Sequence, residues 1–157
     1  MSTVTANDTA TGEQRGNWAA GGLGGLLGGT AMGVLVFVMN QATLAGAIPS
    51  LYGLAPPANP LAGFAVHLDH ATVLGLAFAG LVGLASLDSP TKVVGAGLAW
   101  GVVTWIGLAA LVMPVWLGVV GSPASPPLPN FAPPSLLWHL VYGGVLGGGY
   151  VALDQVI

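Results

Sequence analysis

The chain has 157 residues, of which 54% are hydrophobic and only 4% charged, and its mean hydropathy is +0.84. A soluble domain carries about 25% charged residues, so this chain cannot cover a water-facing surface and reads as an integral membrane protein. The net charge of −3 is small and scattered, which excludes a nucleic-acid footprint; without cysteine there are no disulfides, thiolate metal sites or cysteine nucleophiles.

Residues 1–17 are polar and without apolar periodicity, and read as a disordered cytoplasmic tail. Arg15 comes too late for a signal peptide, and the apolar run behind it is long enough to span. Residues 18–157 are read as a four-helix transmembrane domain. The first span covers 18–47, since about 20 apolar residues cross the hydrocarbon core. Gly21, Gly25, Gly29 and Gly33 recur four apart on it, a glycine zipper that lets a second backbone approach. Asn40 and Gln41 end its apolar part. A Pro-rich loop follows over 48–59. Asn59-Pro60 is a cap and first-turn proline, opening a second span over 60–87. Asp88-Ser89-Pro90 repeats that start after a short turn holding Lys92, and opens a third span over 90–116, which Met113-Pro114 should kink or end. A second Pro-rich loop over 121–134 leads to Ser135 as cap of a fourth span over 135–153. The expected fold is all-α, an integral membrane four-helix bundle.

The second and fourth spans share the pattern H-L-x-x-x-x-V-L-G, beginning at His67 and His139, 72 residues apart. The same offset pairs Gly25 with Gly97, Gly29 with Gly101, Gly46 with Gly118, and Phe78 with Tyr150. Two duplicated hairpins follow, and an even number of spans per copy makes them parallel, about a pseudo-twofold along the membrane normal. Gly75, Gly97, Gly101, Gly143 and Gly147 join the zipper glycines as packing positions. Gly28 and Gly33 match Trp100 and Trp105, so rings set against a glycine groove would lock the hairpins together. Positive residues stay cytoplasmic, and Arg15 and Lys92 fall on one side. Both termini are therefore expected on the cytoplasmic side of the cell membrane and both Pro-rich loops outside. Trp18 and Tyr150 would mark the inner interface, Trp116 and Trp138 the outer one.

All three histidines fall in spans, where ionisable residues are costly and face the bundle interior. His67 and His70 share a helix face, which His139, Tyr142 and Leu146 repeat. The pseudo-twofold would set His67 opposite His139 and His70 opposite Tyr142. Asp69 lies about 200° round from His67 and points elsewhere. Three chemistries suit such a set. Two imidazoles are the axial ligands of a b-type haem. His67, His70 and His139, supported by Asp69 and Tyr142, match a Zn or Cu site. The same groups could relay protons. The plainer role, and the one favoured here, is hydrogen bonding across helices. No G-x-S-x-G elbow, H-E-x-x-H or phosphate loop is present, so no enzyme is expected.

The glycine-rich first span, Val94-Gly95-Ala96-Gly97-Leu98-Ala99-Trp100-Gly101-Val102-Val103, and His139-Leu140-Val141-Tyr142-Gly143 with Leu146-Gly147 resemble an uncharacterised family of small four-helix membrane proteins common in haloarchaea. The resemblance covers about 21–153. Two Lys+Arg against five Asp+Glu agrees with a halophilic archaeal source. Members of that family are often labelled histidine kinase, a label not expected to apply, because no ATP-binding domain can be read in this chain. The resemblance brings no activity or site residues with it. The expectation is a non-enzymatic accessory or structural membrane protein, alone in the lipid bilayer as a homo-oligomer or with a membrane-complex partner. A haem- or metal-binding redox protein is the alternative, and a small transporter or proton-handling protein the third.

Overall fold

A computed structural model describes residues 16–157. The predicted tail falls mostly on 1–15 and, with Asp8 and Arg15, lies outside the described residues. The described chain is all-helical. Four helices are long and apolar enough to cross a membrane: Trp18–Met39, Pro60–Leu84, Pro90–Val119 and Pro133–Asp154. The first is α1, capped by the Asn17 side chain, which accepts from the Ala20 N–H at 3.0 Å.

The first span is not continuous to residue 47. Asn40 leaves the helix at φ −153°, ψ 73°, while its N–H still bonds to the Val36 carbonyl. Its side chain accepts from Thr43, so one residue closes α1 and opens the next turn. That turn is π-helical over Thr43–Ala47 and continues as α2, Ile48–Ser50, inside the segment expected to be loop. Next, α3 spans Pro60–Leu84, starting at an Asn59 side chain that accepts from the Ala62 N–H. It stops three residues early because Ser86 turns left-handed at φ 49° and the Ser86 and Leu87 amides close the end onto Gly83 and Val82.

Ser89 accepts from the Lys92 N–H and opens α4, Pro90–Thr104. Lys92 also meets Asp88 at 2.7 Å on the open surface. Its ammonium holds the Asp88 carboxyl below the usual range, a contribution present at neutral pH and lost as acid protonates the carboxylate. The third span does not end at Met113-Pro114. A π-helical stretch, Trp105–Val112, precedes the proline, and α5 carries on over Met113–Val119. The wider turn leaves room for a ring that a tight helix would reject. Pro49 and Pro114 have no N–H to give, and in each case the carbonyl four residues earlier is taken by the following loop. Asn59 donates to Ala45 at 2.7 Å, and Asn130 donates to Ala110 at 2.9 Å. The fourth helix, α6, begins at Pro133 rather than Ser135. Two first-turn prolines lack the N–H groups a cap would satisfy, and Ser135 is buried within the turn.

Helix α1 packs between α3 and α6, α4 packs on α6, and α3 and α4 barely touch. The α1–α3 seam is glycine on glycine. A Cβ added at Gly75 would fall 2.7 Å from the Gly25 Cα, and one at Gly21 would fall 2.6 Å from the Gly75 carbonyl oxygen. Gly29 lies on Ala71, and Gly33 on Phe64 and His67. The α4–α6 seam has the same character, with Gly97 against Gly143 and Gly147, and Gly101 against the His139 carbonyl. Gly24 and Gly28 admit α6: a Cβ at Gly28 would lie 2.7 Å from the Tyr142 carbonyl oxygen and 3.0 Å from its ring. The ring set into this groove is thus Tyr142 rather than Trp100 or Trp105, and Trp105 packs on Phe131 instead. Phe78 and Tyr150 meet edge to face in the central core. Tyr150 and Trp138 are buried, so of the four rings expected at the interfaces only Trp18 and Trp116 are exposed.

These contacts set the tolerance of each glycine. Gly25→Ala should destabilise the fold by about 1–3 kcal/mol, because the methyl meets backbone that cannot yield. Gly148 has nothing within 4 Å, so Gly148→Ala should be neutral or add up to about 1 kcal/mol from helix propensity. Unfolding of both variants in mixed micelles checks this; equal losses would contradict the seam.

Candidate functional site

The three histidines sit within three turns of the proline starts of α3 and α6, and each ring meets a different kind of partner. His67 lies on the inner face of α3, only 8% exposed, and donates from Nε2 to the Gly29 carbonyl of α1 at 2.9 Å. Gly33, one turn on, leaves space for the ring. His139 donates from Nδ1 to the Ser135 carbonyl of its own helix at 2.7 Å. His70 is turned out of the bundle. Its Nε2 lies 2.7 Å from the Tyr52 hydroxyl, and the two rings stack at a tilt 5.7 Å apart.

Tyr142 does not face His70. Its hydroxyl crosses from α6 to α3 and donates to the Ala71 carbonyl at 2.8 Å, one turn below His67. The structure therefore brings His67, Tyr142 and His139 to one level of the interior and leaves His70 and Asp69 outside it. Asp69 is exposed on the outward face of α3. Among the described residues no three His, Cys, Asp or Glu side chains gather as a metal-binding group. Two surface clefts of about 370 and 280 Å³ lie at opposite ends of the bundle, and neither is lined by a histidine.

Other polar side chains follow the same habit. Trp116 donates to the Leu51 carbonyl at 2.9 Å, Trp138 to the Met39 sulfur at 3.2 Å, and the Asn17 N–H to the Tyr150 hydroxyl at 2.8 Å. Thr72 and Thr104 return their hydroxyls to carbonyls of their own helices. Among the described buried side-chain polar atoms, the Trp100 and Trp105 indole nitrogens lack a partner. Tyr52 had no sequence signal, because its partner lies on a helix that begins after the loop. The remaining outlier is Asp69. The one ion pair among the described residues joins Lys92 and Asp88, and nothing comparable reaches Asp69.

In comparisons with known proteins, no family model matches the chain, and no curated protein or solved structure is similar to it.

The Tyr142 bond can be isolated. Tyr142→Phe keeps the ring and removes the hydroxyl, and should cost about 0.6–1.7 kcal/mol, the range for hydrogen bonds between membrane helices. Unfolding in mixed micelles measures it, and a variant as stable as its parent would contradict the cross-helix bond.

Proposed function

We propose that the chain is a multi-pass cell-membrane protein with a structural or accessory role and no catalytic chemistry. The observation that carries this reading is where the interior polar groups end. His67 and Tyr142 each donate to a carbonyl of a neighbouring helix, and His139 to a carbonyl of its own. In lipid the first two bonds tie helices together, because the alternative is an unsatisfied group in hydrocarbon. The haem or metal alternative turns on His67 and His139, since both rings keep a second nitrogen.

A duplicated hairpin accounts for the seams. Gly25 meets Ala71 and Gly75, and 72 residues later Gly97 meets Gly143 and Gly147. His67 stands beside Gly29 as His139 stands beside Gly101. Pro49, Ala45 and Asn59 have counterparts in Pro114, Ala110 and Asn130, although the register there is no longer 72. The same offset accounts for the asymmetry between copies. Gly24 and Gly28, which admit α6, correspond to Ala96 and Trp100, whose larger side chains keep α4 away from α3. Lys92 lies at the end of the bundle where α1 starts and α6 stops, so the positive-inside tendency favours cytoplasmic termini and outer Pro-rich loops. The resemblance to haloarchaeal four-helix membrane proteins belongs to the same reading.

Purification from membranes tests the role and the orientation together. The protein should show no Soret band and no stoichiometric Fe, Cu or Zn, and a cysteine placed at Asn130 should react with an impermeant maleimide from outside the cell. A haem spectrum or bound metal would replace the structural reading with the redox one. Labelling from the inside alone would reverse the orientation.

A further inference from the structure

Asp69 is the starting point. Opposite His67 on α3, it faces away from the bundle, with no ion pair among the described residues. At 1.5 Å per residue it lies about 14 Å along α3 from Pro60, well inside a span of hydrocarbon thickness. An ionisable group at that depth is found against a partner group, not against lipid.

The neighbouring residue supplies the chemistry of that partner. His70 is half-buried beside Asp69, and its Nε2 is engaged by Tyr52. In the tautomer with its proton on Nδ1, the ring accepts from the Tyr52 hydroxyl at Nε2 and offers the Nδ1–H as a donor. At 100° per residue, Val66 and Val73 lie on the arc between Asp69 and His70, with Ala62 and Ala77 beside them. Val73 is 56% exposed. Small residues above and below the polar pair let a second helix come close.

We propose that this face of α3 is covered by α3 of a second copy of the chain, with the Asp69 carboxylate of each copy accepting from the His70 Nδ1–H of the other. Copies inserted with one topology are related by a twofold along the membrane normal, so the two α3 helices run parallel. In a twofold interface each contact occurs twice. Asp69 and the partner's His70 then differ in depth by one residue, about 1.5 Å, which a single hydrogen bond accommodates. The carboxylate needs a donor, the imidazole offers one, and the chain places the two side by side on one outward face. The inference rests on the reading that the chain spans a membrane, and it names what a structural role there would assemble.

The chain has no cysteine, so single cysteines report cleanly. Val66→Cys and Val73→Cys should form disulfide-linked dimers when native membranes are oxidised briefly. Val34→Cys on α1 and Val103→Cys on α4, which also face outward, should remain monomeric. In the Val73→Cys background, Asp69→Ala and His70→Ala should each lower the linked fraction by about tenfold, the effect of two reciprocal bonds between membrane helices. Asp69→Asn, which keeps an acceptor, should retain more dimer than Asp69→Ala. Linking at Val73 no greater than at the two controls would overturn the proposal. So would an adduct of any mass other than the dimer, or a linked fraction indifferent to Asp69→Ala. Recovery of the chain in the soluble fraction would overturn the membrane reading as well, which separates the two failures.

Discussion

The structure depends on how closely two helix backbones can approach. At the α1–α3 seam the Gly25 and Gly75 backbones occupy the space a side chain would need, and Gly97 and Gly143 do the same between α4 and α6. In the membrane setting proposed above, hydrocarbon gives no solvophobic drive for such contact, and dispersion between backbones at short range contributes instead. The residues facing outward are free to be leucine and valine, as at Leu23, Leu27 and Val34. Glycine is therefore concentrated where neighbours meet, and bulk is concentrated where there are none. Where bulk enters a seam position, as at Trp100, the helices stand apart, and α3 and α4 barely touch although a short turn joins them.

Close approach also decides what the polar side chains do. With backbones this near, a side chain of modest length reaches the carbonyls of the next helix, as His67 does at Gly29 and Tyr142 at Ala71. The prolines create the opposite need. Pro49 and Pro114 remove donors from the helix ends that lead into the Pro-rich loops, and the loops fold back so that Asn59 and Asn130 take the carbonyls four residues before them. The interior is thus bonded largely to itself. The Trp100 and Trp105 indoles are the buried exceptions among the described residues. Asp69 is the carboxylate left without an ion pair there, on the outside, and for that reason it points beyond the single chain.

Much of the architecture was legible because it is local. Apolar length marked the four long helices, and Asn59-Pro60 and Ser89-Pro90 marked two starts, since cap and first-turn proline act within a few residues. The breaks were less legible where one residue serves two purposes. Asn40 both closes α1 and opens the next turn, and a π-helical stretch carries the chain through Pro114. At α6 the prolines make a cap unnecessary, so Ser135 was misplaced. The histidines were found from sequence, but their partners were not. Tyr52 lies in the first loop and Gly29 on another helix, and a single sequence carries no pairing signal between them. Trp138 and Tyr150 suited an interface by residue type and are core by packing, because α1 brings Met39 and Asn17 to their polar ends.

The most direct test of glycine-mediated approach is solid-state NMR of the protein in lipid bilayers, with carbon-13 correlations read between glycine Cα atoms. The account predicts cross-peaks between Gly25 and Gly75 and between Gly97 and Gly147, pairs in which a Cβ added to the first glycine would fall 2.9 and 3.0 Å from the Cα of the second. Absence of either cross-peak, while sequential correlations within the same helices are strong, would contradict it.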